Sequence, residues 1–355
     1  MKVLEFRSDT FTRPTPEMRK AMAEAEVGDD QYGEDPTVNR LEERAAQIVG
    51  KEAGLYVASG MLGNLCGVLS QAGRGDEVIL GDMAHIYQNE MGAFTVVGGL
   101  HGRTIPNRDG MPSLEDIEAA IRPVSGNMPR SALLCLENSH NNCGGAVITP
   151  QQTRTAAALA HERGLKVHLD GARIFNAAAA LGVDVVELTG PVDTVQFCFS
   201  KGLSAPVGSI LCGPRDTIAR ARKVRKLLGG AMRQAGVIAA AALVGLETMR
   251  DRLVEDHVNA RALADGLAAI RGIRIDAAKV VTNIVSFEID RGAMDAGHVQ
   301  RACAERGLRI SRYLGNSPRL RMVTHANVGR ADVDAALAIM SAVLSGKREP
   351  VVAAD

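Results

Sequence analysis

Leu165-Lys166-Val167-His168-Leu169 runs directly into Asp170-Gly171-Ala172-Arg173, and Thr194-Val195-Gln196-Phe197-Cys198-Phe199 runs directly into Ser200-Lys201-Gly202. Each is a short, mostly apolar run closed by a charged residue and a glycine, the pattern of a buried strand that ends in a turn. Ligands of open α/β sheets bind outside the carboxyl ends of the strands. An acid and a lysine, thirty-one positions apart, are therefore expected on one rim of one sheet. A carboxylate after an apolar strand is costly to bury unless a cation meets it, and a protonated ring nitrogen would be such a cation. A lysine in an apolar-walled pocket loses basicity, and its amine can then attack an aldehyde. Taken singly, Asp170 could cap the segment after it and Lys201 could sit in a surface turn. Together they read as a site, because Ser-Lys-Gly after an apolar strand occupies a place where Leu or Val would serve.

Working outward, Val78-Ile79-Leu80, Thr95-Val96-Val97, Ala132 to Leu136 and Ser209 to Cys212 also read as buried strands. Helical patterns separate them, such as Gln151 to Arg163, which starts after Thr149-Pro150 and stops at Gly164. This alternation predicts an α/β fold with a large domain whose mostly parallel central sheet is covered by helices. After Arg250 the character changes. A long helix over Asp251 to Ile270, strands near Val280 to Ile289 and Arg319 to Thr324, and helices over Ala296 to Arg306 and Ala331 to Ser345 predict a smaller C-terminal α+β domain. The expected organisation is an N-terminal arm over 1–30 that wraps over a neighbour instead of forming core, a large domain over 31–250, a small domain over 251–345 and a frayed tail over 346–355.

Composition narrows the partners. The chain has 355 residues, enough for about two domains. Its formal net charge is zero, which argues against nucleic acid and anionic membranes as partners. Aromatic residues make up 3% and Trp is absent, so a base-stacking platform is not expected. The basic run Arg220, Arg222, Lys223, Arg225 and Lys226 reads as a solvated helix face. The longest apolar run, Val237 to Leu246, is too short to span a bilayer and reads as a buried helix. Cys66, Cys135, Cys143, Cys198, Cys212 and Cys303 form no C-x-x-C pair and read as unbridged thiols in a reducing, cytoplasmic compartment. No metal site is expected: His161-Glu162 lacks the second histidine of H-E-x-x-H. Nor is a dinucleotide site, since Gly73-Arg74-Gly75 precedes a strand and has Val78 where the third glycine belongs.

Three further elements carry chemistry. Ser59-Gly60-Met61 opens a helix, where small residues expose amides and the dipole favours an anion such as phosphate, although Ser is also an ordinary N-cap. Gly229-Gly230-Ala231-Met232-Arg233 places an arginine, a natural phosphate clamp, before the buried helix. His85, after the strand Val78 to Leu80, is either a hydrogen-bonded histidine or a ring that stacks on a flat cofactor.

These residues, with Arg7-Ser8-Asp9-Thr10, Gly28-Asp29-Asp30-Gln31-Tyr32-Gly33-Glu34-Asp35-Pro36-Thr37, Leu136-Glu137-Asn138-Ser139-His140-Asn141 and Ser200-Lys201-Gly202-Leu203-Ser204-Ala205-Pro206-Val207-Gly208, resemble the low-specificity L-threonine aldolases. Those are pyridoxal-phosphate enzymes of the aspartate-aminotransferase-like fold. The resemblance runs in order from about Phe6 to Arg330. It implies that Lys201 carries pyridoxal 5'-phosphate as an imine, that Asp170 pairs with the ring nitrogen and that His85 stacks on the ring. It further implies that Ser59, Gly60 and Met61 form the phosphate cup, with Arg233 reaching in from a neighbouring subunit. Arg173, Arg321 and Ser8 would grip the carboxylate of a small amino-acid substrate, and Tyr32 would lie near the pocket across a dimer interface. Members of the family are usually homotetramers, dimers of dimers. Two departures stand out. Met61 occupies a place where the family commonly has Thr. A second active-site histidine, counted back from Leu136-Glu137-Asn138, falls at Asn127, which cannot accept and release a proton as His can.

The activity implied is cleavage of L-threonine, L-allo-threonine and related β-hydroxy-α-amino acids to glycine and an aldehyde, with His85, or a water it holds, as base. The alternative is another pyridoxal-phosphate activity on the same scaffold, an aminotransferase or a β-eliminating lyase.

Overall fold

A computed structural model describes residues 3–290, 295–313 and 317–346. Residues 14–250 form one compact unit; residues 3–13 with 251–346 form the other. The tail over 347–355 lies outside the described residues. Strands and helices are numbered along the chain, β1 being Leu4–Glu5 and α1 Pro16–Ala23.

The larger unit is built on a seven-stranded sheet. Its strands are β2 (Ala53–Val57), β3 (Glu77–Gly81), β4 (His101–Ile105), β5 (Ser131–Glu137), β6 (Lys166–Asp170), β7 (Thr194–Cys198) and β8 (Ser209–Gly213), in the order β2-β8-β7-β6-β5-β3-β4. Neighbours from β7 to β4 pair in parallel. Only β8 runs against the rest, antiparallel to both β7 and β2. The carboxyl ends of β2, β3, β5, β6 and β7 therefore open on one rim, and β8 starts from it. Strands β3, β5, β7 and β8 are buried along their whole length, which explains their continuous apolar reading.

Local signals set the element ends. Helix α7 (Pro150–Glu162) starts with a reciprocal capping box between Thr149 and Gln152 and stops before Gly164, whose φ of +77° suits glycine. Helix α11 (Gly236–Thr248) is the expected buried Ala-rich helix. Among the described residues no helix is long and apolar enough to cross a membrane.

Three readings are corrected. Thr95-Val96-Val97 is not a strand: residues Ala93–Val96 form a single helical turn, α5, after Gly92 at φ +63°, and Val96 is exposed. The place beside β3 is taken by β4, a polar edge strand that lacks an apolar signature. The basic run lies on α10 (Arg215–Leu227), but it is not simply solvated. Arg225 is 1% exposed, donates to the Tyr56 carbonyl at 2.7 Å and pairs with buried Asp30 at 2.8 Å. Beside it Arg222 donates to Glu42 at 2.5 Å, and the other oxygen of Glu42 accepts the Tyr56 amide at 2.8 Å. Buried carboxylates draw these arginines inward, since a charge out of water needs a partner. Finally, Phe6 and Met18, in the polar opening stretch, are core residues with no exposed surface.

The smaller unit pairs β1 in parallel with β11 (Leu308–Arg309). Beside them lies an antiparallel sheet of β9 (Ile273–Arg274), β10 (Ile284–Ile289), β12 (Ser311–Arg312) and β13 (Arg319–Val323), ordered β12-β13-β10-β9. Helices α12 (Leu253–Ala268), α13 (Ala296–Glu305) and α14 (Arg330–Leu344) share a core with Phe6, Phe287, Leu320 and Met322.

Replacing Arg225 by alanine leaves Asp30 as an uncompensated buried charge. The expected loss is about 3–5 kcal/mol of stability by denaturant unfolding; a loss within about 0.5 kcal/mol, typical of surface changes, would show that the pair is not structural.

Candidate active site

The rim of the large sheet gathers side chains from five elements. Helix α3 (Gly60–Leu69) follows β2, with Ser59 as N-cap accepting the Leu62 amide at 3.2 Å. The amides of Gly60 and Met61 are the remaining donors of that first turn. The ordinary N-cap reading of Ser59 thus holds, and its cap bond does not use the amides of Gly60 and Met61. The helix lies directly on β6 and β7. A Cβ on Gly60 would come within 2.9 Å of Cys198 Sγ, one on Gly63 within 2.6 Å of Gln196 Cγ, and one on Gly67 within 2.6 Å of His168 Cε1. Only glycine permits this approach, and it brings Asn64 down between the strand ends.

Asp170 closes β6 and is buried. One of its oxygens accepts the Ala172 amide at 3.1 Å, the local cap anticipated as the plainer reading. The other accepts from Asn64 Nδ2 at 2.9 Å. The same Nδ2 donates to Glu90 Oε1 at 2.8 Å, and Glu90 Oε1 faces His85 Nδ1 at 2.9 Å. A nitrogen of His85 and oxygens of Glu90 and Asp170 lie within 4.8 Å of one another. His85 opens the short helix α4 (His85–Gln88), and its amide donates to Glu137 Oε2, at the end of β5, at 2.7 Å. Burial lowers the basicity of His85, but Glu90, Asp170 and Glu137 more than offset it and hold its pKa above the usual 6.5. Burial pushes Glu90 up in turn, with His85 opposing and Asp170 adding to the rise.

Lys201 is half-buried in the loop between β7 and β8. That loop is tied by Phe199 N to Gly208 O and by Ala205 N to Phe199 O, both at 3.0 Å, and the Lys201 carbonyl accepts the Ser204 amide at 2.9 Å. Gly208, at φ +106°, backs onto Tyr56, whose hydroxyl would be 2.3 Å from a Cβ there.

The other expected residues are more dispersed. Arg173 is buried just beyond Asp170 and donates to Asn141 Oδ1 at 3.2 Å, while Asn141 N donates to Glu137. Arg233 pairs with Asp29 at 3.0 Å, so within one chain it is engaged by the segment that carries Tyr32. Tyr32 is 71% exposed. Ser8 and Arg321 belong to the smaller unit: Ser8 Oγ accepts the Thr10 amide, and Arg321 Nη2 donates to the Arg7 carbonyl at 3.4 Å. Asn127 is exposed in the loop before β5, whereas Glu137 closes that strand. Seven residues of strand, roughly 23 Å, separate the two ends, so within one chain Asn127 does not join the rim. Asn64, Glu90, Glu137, Asn141 and His168 were not anticipated. Asn64 and His168 are polar residues inside apolar runs, and Glu137 and Asn141 lie in the motif at the end of an apolar strand, signals that could have drawn attention to them; Glu90 carries none.

A buried carboxylate, a histidine ring beside it, a lysine amine at the next strand end and a glycine-lined helix N-terminus together fit pyridoxal phosphate, with its ring nitrogen, flat ring, aldehyde and phosphate. Fold and site define a pyridoxal-phosphate enzyme. Residues 5–290 match the model of the β-eliminating lyase family. Low-specificity L-threonine aldolase 1 of Arabidopsis thaliana is 45% identical over 355 residues, covering 99% of each chain. The low specificity L-threonine aldolase of Escherichia coli K12 is 41% identical over 330 residues, 92% of this chain and 95% of that one. The structure of Leishmania major threonine aldolase superposes with a TM-score of 0.80 at 19% identity, covering 96% of this chain and 99% of that one. The chain belongs to the low-specificity L-threonine aldolases, within the β-eliminating lyase family.

Asn64→Asp places a third carboxylate between Glu90 and Asp170. Mutual repulsion raises the folded-state pKa values above the unfolded ones, so the penalty is full at high pH and fades as pH falls through the raised values. Thermal unfolding should therefore show a larger drop in Tm at about pH 8.5 than at about pH 5.5; a pH-independent drop would mean the defect is one of packing.

Proposed function

We propose that this protein cleaves L-threonine, L-allo-threonine and related β-hydroxy-α-amino acids to glycine and an aldehyde, using pyridoxal 5'-phosphate. The observation that carries this reading is Asp170, Lys201 and His85 on one sheet rim in a chain 45% identical, over its whole length, to a low-specificity L-threonine aldolase.

In this reading Lys201 holds the cofactor covalently through its amine, and the amides of Gly60 and Met61, with Ser59, take the phosphate. Asp170 keeps the ring nitrogen protonated, and Asn64 holds the carboxylate in place for that task. The bound cofactor supplies an electron sink for the breaking Cα–Cβ bond. Arg173 grips the substrate carboxylate and so helps set which bond at Cα lies in position to break. His85, or a water it holds, removes the β-hydroxyl proton, help of a kind worth about 10²–10⁴-fold. We also propose a homotetramer, a dimer of dimers in which Tyr32 and Arg233 serve the site of a neighbouring subunit; their exposure supports it. A reducing, cytoplasmic compartment suits six cysteines held outside any disulfide.

The family model's description favours one other reading, β-elimination on the same scaffold. Products decide between them. L-threonine and L-allo-threonine should each yield glycine and acetaldehyde; a keto acid without glycine would overturn the aldolase reading. Borohydride reduction of the yellow holoenzyme should fix the cofactor on the peptide containing Lys201, and recovery on any other lysine would remove Lys201 from its role.

A further inference from the structure

The chain of polar atoms below the site starts at His168, a residue the reaction does not use. His168 is fully buried on β6 under Gly67, and burial, opposed by Asp170, pushes its imidazole down to about 4. It is neutral near pH 7 and carries one ring proton. Its Nε2 lies 3.1 Å from Asn64 Oδ1, and its Nδ1 lies 2.8 Å from Thr194 Oγ1. The Asn64 amide has one orientation that satisfies its surroundings. The end that faces two carboxylates, Glu90 at 2.8 Å and Asp170 at 2.9 Å, is the nitrogen, whose two N–H groups give each of those acceptor oxygens a donor. The other end is then the oxygen, and His168 must offer it Nε2–H. Thr194 consequently donates to His168 Nδ1 and accepts from Gln71 Nε2 at 2.8 Å. Every proton in this run has a determined direction, and the run ends on Glu90.

Glu90 Oε1 takes one more donor, His85 Nδ1 at 2.9 Å. Glu90 is 3% exposed, whereas the His85 side chain keeps 31% of its surface. The backbone of His85 is held separately, by Glu137. We propose that Glu90 is a positioning residue that fixes the His85 proton on Nδ1, so that bare Nε2 is the nitrogen available to take a proton from substrate or water. The effect on rate rests on the aldolase reading; the placement of the proton does not. A free histidine side chain favours the opposite tautomer, with the proton on Nε2, so a partner at Nδ1 is needed to reverse that preference. The charged groups acting on His85 are Glu90 from the turn after α4, Asp170 from β6 and Glu137 from β5. All three are acids, and together they hold its pKa above 6.5 against burial.

The test uses holoenzyme labelled with ¹³C and ¹⁵N in its eight histidines, the His85 ring signal being the one lost in His85→Asn. Above its titration, wild-type His85 should carry its proton on Nδ1. In Glu90→Gln the titration should move to lower pH and Nε2–H should gain population. The glycine-release assay should show kcat down about 10–100-fold with KM within about twofold, part of the roughly 10²–10⁴ a positioned base contributes. The acid limb of the rate profile should move to lower pH along with the titration. Nε2–H in wild-type enzyme would overturn the proposal, as would a His85 tautomer and titration unmoved by Glu90→Gln. Should that variant fail to fold, the wild-type tautomer alone decides. Wild-type enzyme with the Nδ1 proton but no glycine release would sink the aldolase reading and leave the placement standing.

Discussion

Helix α3 rests on β6 and β7 with glycine at each of three contact points, and the rest of the site depends on that closeness. Gly60, Gly63 and Gly67 lie on one face of the helix, over Cys198, Gln196 and His168. A methyl group at any of them would have to displace the strand side chains beneath. With the helix this low, its first turn opens at the rim where the parallel strands end. Asn64, from the same helix, then reaches two buried carboxylates at once. The helix opening at the rim and the acid cluster beneath it are thus consequences of one packing contact.

Buried charge is handled by a similar device in two places. At the rim, Asp170 and Glu90 share one amide, and Glu90 also has His85. On the flank, Asp30 and Glu42 meet Arg225 and Arg222 on α10. Both arrangements follow from the cost of taking a carboxylate out of water without a donor or cation. The flank network holds the segment Asp29 to Gly33, and that segment presents Tyr32 and engages Arg233 at the surface. The polar interior therefore ties the rim cluster and the exposed Tyr32 segment to the same sheet.

Much of this was readable along the chain. The strands ending at Asp170 and Lys201 are apolar runs with charged, glycine-marked ends, and burial on both faces of a parallel sheet leaves that imprint directly. The cap at Ser59 and the capping box at Thr149 are local hydrogen bonds, so they too leave a local mark. What escaped was non-local. β4 is an edge strand with an exposed face and no apolar pattern. The β-branched run Thr95-Val96-Val97 has strand propensity, yet it falls in and just after the single turn α5, where the left-handed Gly92 and the neighbouring strand decide the path. Arg225 looks like any surface arginine until Asp30, from a distant part of the chain, is folded against it.

By itself the sequence determined the alternation of strands and helices, the strand ends that carry Asp170 and Lys201, and the motifs of the family. Those properties are written in residues adjacent along the chain. Only the tertiary structure decided that Asn64 links Asp170 to Glu90 and that Glu90 meets His85 Nδ1. Each depends on how helices lie over a sheet and which strand end a loop reaches, and hydrogen-bond direction is settled only when all partners of a buried group are present at once.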